Sequence, residues 1–416
     1  MLQICDMPKS EPRYEGHKQA RTVRAHVRTL QKAGKKLIIL GGSDPVVGGF
    51  VNPQIREALS EAAEKMPPVY PSNTNLHEEL KRSICAFEKK YRGFDCAPED
   101  LILTPGIASG WSVIHYSLLG HDKEILTLEP SHYYENCSSY LYVLDAKVTA
   151  CRCLEQEKWQ PDLDEVKKKI SKNTVAIAIT HPNNPTGAVH SEKTLKLLVD
   201  LAGEHDIPLM ADEMYGLITF DSLEARSILR LANDVPAIVI NGMSKTFMCP
   251  GWRLGYVCIH DPRGRISDLV SRMRIWSSLY GHATGAIPTP ILYAANYVYQ
   301  RTQESFDSSL RMVKETQKRR DYTMKRLNEI EGVSCVEPKA ALYAFPKIHD
   351  IGTVWKTEEE FLIRLLDEEG VGFLPGLEFG PSGFGHLRTL LQRNEDVLDE
   401  AYSRLDAFIK RHTRVT

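Results

Sequence analysis

The sequence predicts an α/β protein, with a large domain built on a mostly parallel central sheet flanked by helices and a smaller α+β domain after it. Short apolar runs alternate with helical patterns between residues 100 and 260, which is typical of parallel strands covered by helices. After residue 300 the pattern changes to one long charged helix, short strands and two further helices. The 416 residues suffice for two or three such domains.

The N-terminal part carries one helical pattern before residue 30 and a short apolar strand at 36–40. The glycine-rich stretch at 41–49 lacks the spacing of a nucleotide-binding loop, so a plain turn is the favoured interpretation. Residues 75–92 repeat apolar side chains at helical spacing and predict an amphipathic helix.

Six apolar runs in the next part of the chain predict strands of the central sheet. They are 101–103, 125–128, 175–179, 207–210, 237–240 and 255–259. The C-terminal part predicts helices and short strands at 311–330, 333–336, 342–345, 358–369 and 396–411. We divide the chain into an N-terminal segment that packs with the small domain (1–45), a large domain (46–295) and a C-terminal small domain (296–416).

Composition excludes several kinds of partner. A formal net charge of −2 gives no electrostatic reason to expect a nucleic acid or a membrane surface. Nine scattered cysteines without a CxxC pair predict neither a metal site nor a disulfide framework, and they fit a reducing cytoplasm. There is no signal-peptide pattern and no apolar run of membrane-spanning length, so we expect a cytoplasmic protein.

Two of the predicted strands end in segments that suit a phosphorylated aromatic ligand. After 101–103, the small residues of 104–109 open a helix whose N–H groups would form an anion site, although an ordinary tight turn is equally favoured. After 125–128, His132 and Tyr133 suit stacking on a planar ring, although core packing is an equal alternative.

The later strand ends carry polar residues that are more informative together than alone. Asn184 lies in a proline-flanked turn, and Asp212 ends a central strand, where an unpaired carboxylate is costly and a cation such as a protonated pyridine nitrogen is expected. Tyr215 follows one helical turn later. Lys245 is a partly buried amine, which makes it a usable nucleophile, and Arg253 follows eight residues on. One ligand explains all five, namely pyridoxal 5′-phosphate (PLP) bound to Lys245 as a Schiff base with its phosphate at Arg253.

Four motifs in this region are similar to those of a known family. They are Asn-Asn-Pro-Thr-Gly at 183–187, Asp-Glu-Met-Tyr at 212–215, Asn-Gly-Met-Ser-Lys at 241–245 and Gly-Trp-Arg-Leu-Gly at 251–255. Over nearly its whole length the chain resembles the fold-type I PLP-dependent enzymes, specifically the class I/II aminotransferases. In appearance it is most similar to the alanine aminotransferase-like branch of archaea and bacteria.

The resemblance implies a cofactor role for each matching residue. Lys245 would bind the cofactor and move the substrate proton, and Asp212 would keep the pyridine nitrogen protonated. Asn184 and Tyr215 would donate hydrogen bonds to the ring oxygen. Arg253 would bind the phosphate together with backbone amides, those of Gly106, Ile107 and Ala108.

The resemblance also implies a substrate site and a partner subunit. Arg388 would bind the substrate α-carboxylate, with Gly42 and Asn184 beside it. Tyr70 would reach the phosphate of the neighbouring subunit, which implies a homodimer. His132 stands where the family usually has the aromatic residue that stacks on the ring, so the stacking falls either to His132 or to Tyr133.

Other departures from the family concern the substrate more than the cofactor. The family does not predict Met248 and Cys249 within the lysine motif, Ala-Ala-Leu-Tyr at 340–343, or His282. We expect an aminotransferase with a ping-pong exchange between an L-amino acid, alanine-like or similar, and a 2-oxo acid. The alternatives are elimination, cyclisation or decarboxylation on the same fold, and a PLP-binding regulatory domain, which is disfavoured because no DNA-binding module precedes residue 30.

Overall fold

The structure is a computed structural model that describes residues 15–42, 44–66, 69–133, 144–284 and 287–413, with the backbone alone for 280–284. The N-terminal part contains α1 (Glu15–Lys32), β1 (Ile38–Ile39), α2 (Pro53–Lys65) and α3 (Leu76–Arg92). There follow β2 (Leu101–Thr104), α4 (Ile107–Leu118), β3 (Glu124–Glu129), β4 (Lys147–Leu154), β5 (Gln160–Pro161), α5 (Leu163–Lys169), β6 (Thr174–Thr180), α6 (Glu192–Glu204), β7 (Leu209–Asp212), β8 (Ala237–Gly242), α7 (Met243–Thr246) and β9 (Gly255–His260).

The C-terminal part contains more helix than strand. Its elements are α8 (Ser267–Thr284), α9 (Thr289–Gln300), α10 (Thr302–Asn328), β10 (Val333–Ser334), β11 (Tyr343–Ala344), β12 (Lys347–Ile348), α11 (Glu358–Glu369), β13 (Val371–Gly372), β14 (Leu374–Pro375), β15 (Leu387–Leu390) and α12 (Glu395–Thr413).

Across the described residues, eight strands form the large sheet in the order β2-β9-β8-β7-β6-β3-β4-β5. The five from β8 to β4 are parallel to their neighbours, whereas β9 pairs antiparallel with β2 and β8, and β5 antiparallel with β4. The mostly parallel sheet predicted from the sequence is confirmed. In its register Asp212 lies between Thr180 and Ile240, and Gly255 lies between Thr104 and Gly242.

Alternate residues of the strands face two separate cores. Ile102, Ile238 and Val257 face a core that contains Trp111 of α4 and Met273 of α8. Their neighbours in sequence face the opposite core, which also contains residues of α3, α6 and α9. Strands buried on both faces have continuous apolar sequences, which is why they were predictable from apolar runs alone.

Two strands of the large sheet were not predicted, and neither were the short strands β12 to β15 of the C-terminal part. β4 mixes lysine, threonine and arginine with its apolar residues, and its burial is partial because it lies near the edge of the sheet. β5 is only two residues long and pairs with β4 at the edge itself. Strands at or near an edge are not fully buried on both faces, so they need no continuous apolar run. Without such a run the sequence does not indicate a strand.

The N-terminal residues pack against the C-terminal ones. β1 pairs in parallel with β13, so that Ile38 lies beside Val371. Val23 and Leu40 belong to the same buried cluster as Phe361 and other residues of α11 and α12. These contacts agree with an N-terminal segment that packs with the small domain, while the boundaries at 45 and 295 stay a prediction.

The described part of the chain offers neither a membrane span nor a metal centre. No helix in it is both long and apolar enough to cross a bilayer. No three or more of its His, Cys, Asp and Glu side chains are arranged to bind a metal ion.

Glu358 is a fully buried carboxyl group at the start of α11. It accepts hydrogen bonds from the backbone N–H groups of Leu377 (2.9 Å) and Gly385 (2.7 Å), at the two ends of the loop before β15. Burial raises the pKa of Glu358 from 4.5 to about 8, and the N–H donors oppose this shift. The carboxyl group therefore ties the loop beside β15 to α11.

This raised pKa predicts a specific pH dependence of stability. Between pH 4.5 and 8 the folded protein holds a proton at Glu358 that the unfolded chain has lost, so stability falls as pH rises through this window and levels off above it. The slope is about 1.4 kcal/mol per pH unit. Thermal unfolding at pH 6 and pH 8.5 should show a smaller decrease for Glu358→Gln than for the wild type. The neighbouring Glu359→Gln should behave as the wild type, and an equal decrease in all three proteins would contradict the assignment.

Candidate active site

The predicted site residues meet at the carboxyl edge of the parallel strands. Asp212 is the last residue of β7, and Asn184 lies in the turn that follows β6. Lys245 lies in α7, a single helical turn that begins directly after β8. The sheet register therefore places the three segments side by side.

Asp212 is only 2% exposed. Burial raises the pKa of its carboxyl group, and nearby His132, a hydrogen bond from the backbone N–H of Met214 (3.1 Å) and one from the Trp111 side chain oppose that shift. Lys245, which is partly buried, also acts on this carboxyl group through its charge. Hydrogen-bond donors and positively charged groups thus surround Asp212.

Arg388 reaches the sheet edge from β15. The residue is 4% exposed, and its guanidinium donates to Oδ1 of Asn184 (3.0 Å) and to the carbonyl oxygens of Gly41 (3.0 Å) and Gly42 (3.5 Å). All of these acceptors are neutral, and the buried Nε has no partner among the described residues. A buried cation without an anionic partner is costly, which favours a carboxylate ligand at this position.

Tyr215 lies beside Arg388 and is also buried. Its hydroxyl is 3.1 Å from the hydroxyl of Tyr343, and the guanidinium carbon of Arg388 lies 4.2 Å from the centre of the Tyr343 ring. Burial raises the pKa of Tyr215 well above 10, and the adjacent Tyr343 raises it further. Tyr215 is therefore a neutral phenol that can donate a hydrogen bond.

A second cationic region lies at the start of α4. Gly106 precedes this helix with φ 82°, and the first N–H groups of the helix, including those of Ile107 and Ala108, have no acceptor within it. Arg253 has φ 53° and stands so close that a Cβ on Gly106 would lie 2.5 Å from its Nη2. Within the described residues Arg253 forms no ion pair, and its guanidinium donates to the Pro250 carbonyl (2.9 Å). A helix N-terminus beside a guanidinium favours an anion.

The side chains of His132 and Tyr133 have different surroundings. Tyr133 is buried, packs edge-on against Trp111 with ring centres 4.5 Å apart, and shares a hydrogen bond with His115 (2.9 Å). His132 lies near Asp212, and its backbone N–H donates to the Asn184 carbonyl (2.7 Å). The surroundings therefore favour His132 over Tyr133 for contact with a ring above Asp212.

Tyr70 and Gly42 lie at the periphery. Tyr70 is 80% exposed and borders a cavity of about 1000 Å³ that Thr104, Pro105 and Ser109 also line, next to the start of α4. Gly42 is exposed and touches the site through its carbonyl oxygen. The side chain of His282 lies outside what the structure describes.

Sequence reasoning assigned no role to Trp111 or Tyr343. Trp111 lies one turn into α4, where its only signal was its spacing from Ile107 on the same helix. Tyr343 stood in an apolar run and came to attention only as a departure from the family. Both contacts are made across elements far apart in the sequence, so neither leaves a local pattern.

A mostly parallel sheet with a lysine at its carboxyl edge, beside a helix N-terminus and a guanidinium, is typical of the fold-type I PLP-dependent transferases. A family model described as aminotransferase class I and II matches residues 35–405. The chain is 30% identical to an aspartate aminotransferase of Pyrococcus horikoshii, over 92% of this chain and 94% of that one. It is 31% identical to aromatic-amino-acid aminotransferase 2 of Thermococcus litoralis, over 90% and 92%.

A solved structure is also similar. The alanine aminotransferase from Pyrococcus furiosus superposes with a TM-score of 0.86 at 35% identity, covering 94% of this chain and 97% of that one. The chain therefore belongs to the class I and II aminotransferases, which are PLP-dependent enzymes that transfer amino groups. The expected family and fold are confirmed.

Gly106→Ala should weaken cofactor binding more than it weakens the fold. Alanine at φ 82° is strained by about 1 kcal/mol, and its Cβ would displace the flexible end of Arg253. We expect the apoprotein to bind PLP at least about tenfold more weakly in an absorbance titration, the equivalent of one lost charged hydrogen bond. Gly120→Ala is a matched control, because a Cβ there meets no atom within 4 Å. Equal affinity in both variants would exclude an anion site at Gly106.

Proposed function

We propose that this chain binds PLP at the carboxyl edge of its sheet and exchanges an amino group between an L-amino acid, alanine-like or similar, and a 2-oxo acid by a ping-pong mechanism. One observation carries the proposal. The carboxyl group of Asp212, the amine of Lys245 and the anion site at Gly106 and Arg253 surround the same edge. They match the three polar ends of PLP, which are its pyridine nitrogen, its aldehyde and its phosphate.

Each of these groups fits its proposed ligand chemically. Burial disfavours the charged form of Asp212, and a protonated ring nitrogen would restore it by adding an opposite charge. The start of α4 and the guanidinium of Arg253 are two positive groups in close contact, and a phosphate would relieve their repulsion. The match of chemistry at both ends supports PLP over a ligand with a single polar group.

The chain's own residues account for the remaining steps. When bound, the cofactor supplies an electron-withdrawing ring that stabilises negative charge on the substrate carbon. Lys245 would hold the aldehyde carbon of the cofactor, and its Nζ would carry the substrate proton. Asn184 uses its Oδ1 for Arg388, which leaves its amide N–H to donate to the ring oxygen beside Tyr215.

The substrate carboxylate is proposed to bind Arg388, which reaches the sheet edge from β15. Arg388 has a buried Nε without a partner in the described chain, and we propose that it donates to the α-carboxylate together with Nη. Gly42 lies beside this position through its carbonyl contact with Arg388. His132, near Asp212, is proposed to cover the face of the ring.

We further propose a homodimer with Tyr70 reaching the phosphate of the partner subunit. Tyr70 is exposed and lines the same cavity as Thr104 and Pro105, which precede the helix start proposed to bind the phosphate. This position supports the proposed dimer. Exposed Ile275, Trp276 and Leu279 on α8 add apolar surface in the same region, since Trp276 packs on Tyr116 of α4. A cytoplasmic location remains part of the proposal.

The cofactor proposal is tested by absorbance. The purified protein should show the visible band of PLP bound to a lysine, and Lys245→Ala should lose it, because no other amine is placed at the end of β8. Lys168→Ala, which removes an exposed lysine of α5, should keep the band. A wild type that stays colourless after PLP is added would refute the proposal.

Transfer is distinguished from the alternative reactions by a half-reaction. With alanine and without an oxo acid, the enzyme should release one pyruvate per active site, as the cofactor takes up the amino group, and then stop. Continuous release of ammonia or CO2 would instead indicate elimination or decarboxylation on the same fold. Repeating the measurement with aspartate and phenylalanine identifies the preferred side chain, and a slower burst with alanine than with either would overturn the alanine-like assignment.

A further inference from the structure

Tyr343 connects two parts of the site that come from different parts of the chain. It lies in β11, is 0% exposed, and pairs across the small sheet with Leu390 of β15, two residues from Arg388. Its surroundings include Tyr215, Met214 and Ile218, which follow β7 of the large sheet. The side chain thus spans from the strand of the carboxylate-binding arginine to the end of β7.

The two ends of the Tyr343 side chain have different contacts. The ring supports the guanidinium of Arg388, whose carbon lies 4.2 Å from the ring centre, a cation–π contact at a buried position. The hydroxyl lies 3.1 Å from the hydroxyl of Tyr215, with the two rings edge to face and 5.9 Å apart. Arg388 is only a donor, so it cannot accept the Tyr343 proton.

The direction of the hydroxyl hydrogen bond follows from the proposed function, on which this inference rests. If Tyr215 donates its hydroxyl hydrogen bond to the ring oxygen of the cofactor, its own oxygen must accept the hydrogen bond from Tyr343. Tyr343 then donates, and a donor to Tyr215 strengthens the hydrogen bond that Tyr215 makes in turn.

We propose that Tyr343 is a positioning residue, which holds Arg388 for the substrate carboxylate through its ring and polarises Tyr215 toward the cofactor ring oxygen through its hydroxyl. The two effects are separable, because a phenylalanine keeps the ring and removes only the hydroxyl. A purely structural role, as a filler between β11 and β15, predicts no effect from loss of the hydroxyl beyond a change in stability.

The first test uses the spectrum of the bound cofactor rather than activity. Tyr343→Phe should raise the pH midpoint of the visible band by about 0.5 to 1 pH unit, because an anionic ring oxygen loses support. Tyr215→Phe should shift the midpoint in the same direction. In the Tyr215→Phe background the Tyr343→Phe change should add nothing, since Tyr343 acts through Tyr215.

The second test separates the ring from the hydroxyl. Tyr343→Leu should raise the KM for the amino acid and for the oxo acid by about tenfold, since both present a carboxylate to Arg388, whereas Tyr343→Phe should change either KM less than threefold. Tyr402→Phe is the control: it removes another buried hydroxyl of the small domain, bonded to Thr389 (3.2 Å), and should leave midpoint and KM at wild-type values.

A wild-type midpoint in Tyr343→Phe, or a full further shift in the Tyr215→Phe background, would overturn the proposal. Circular dichroism and the melting temperature check that each variant is folded. If the wild type has the Lys245-dependent band and the Tyr343 variants have no effect, only this inference fails. If the wild type has no band, the proposed function itself fails.

Discussion

Arg92 is buried between two carboxylates, and the position of the site depends on it. Its guanidinium pairs with Glu213, the residue after Asp212, and its charge also acts on buried Glu88. Glu88 accepts hydrogen bonds from Tyr256 and from Asn241 (3.3 Å), which begins the segment that ends at Lys245. One arginine on α3 thus fixes the ends of both β7 and β8. Removing one partner of such a buried pair costs about 3–5 kcal/mol.

The backbone of the turn after Tyr215 lies directly against the guanidinium of Arg92. A Cβ on Gly216 would lie 2.2 Å from Nη1 of Arg92, so the turn after Tyr215 has room only for glycine. Burial raises the pKa of Glu88, and the charge of Glu213 raises it further, while Arg92 opposes the shift. One arginine is therefore shared by two acids, Glu213 and Glu88. Oε1 of Glu88 and both carboxyl oxygens of Glu213 accept hydrogen bonds, whereas Oε2 of Glu88 and Nε of Arg92 have no partner among the described residues.

The parts of the site that were predictable from sequence are those fixed by local geometry. Asp212, Asn184 and Lys245 follow buried strands, and parallel strands bring their carboxyl ends to one edge whatever else the chain does. β4 was missed because it lies next to the edge of the sheet, where its partial burial needs no continuous apolar run. Tyr343 and Trp111 were missed because their contacts join segments distant in sequence. Sequence left open whether His132 or Tyr133 stacks on the ring, because it does not show that Tyr133 packs against Trp111 and bonds His115 of α4.

The unusual residues beside Lys245 are both buried. Cys249 is buried in the core, where its Sγ–H donates to the Met243 carbonyl (3.5 Å). Met248 has φ 57° and packs in the same buried cluster as Tyr215 and Tyr343, two tyrosines of the candidate site. Relatives named for aspartate, aromatic amino acids and alanine each match at least 90% of this chain, so one family and one overall fold serve different amino-acid preferences.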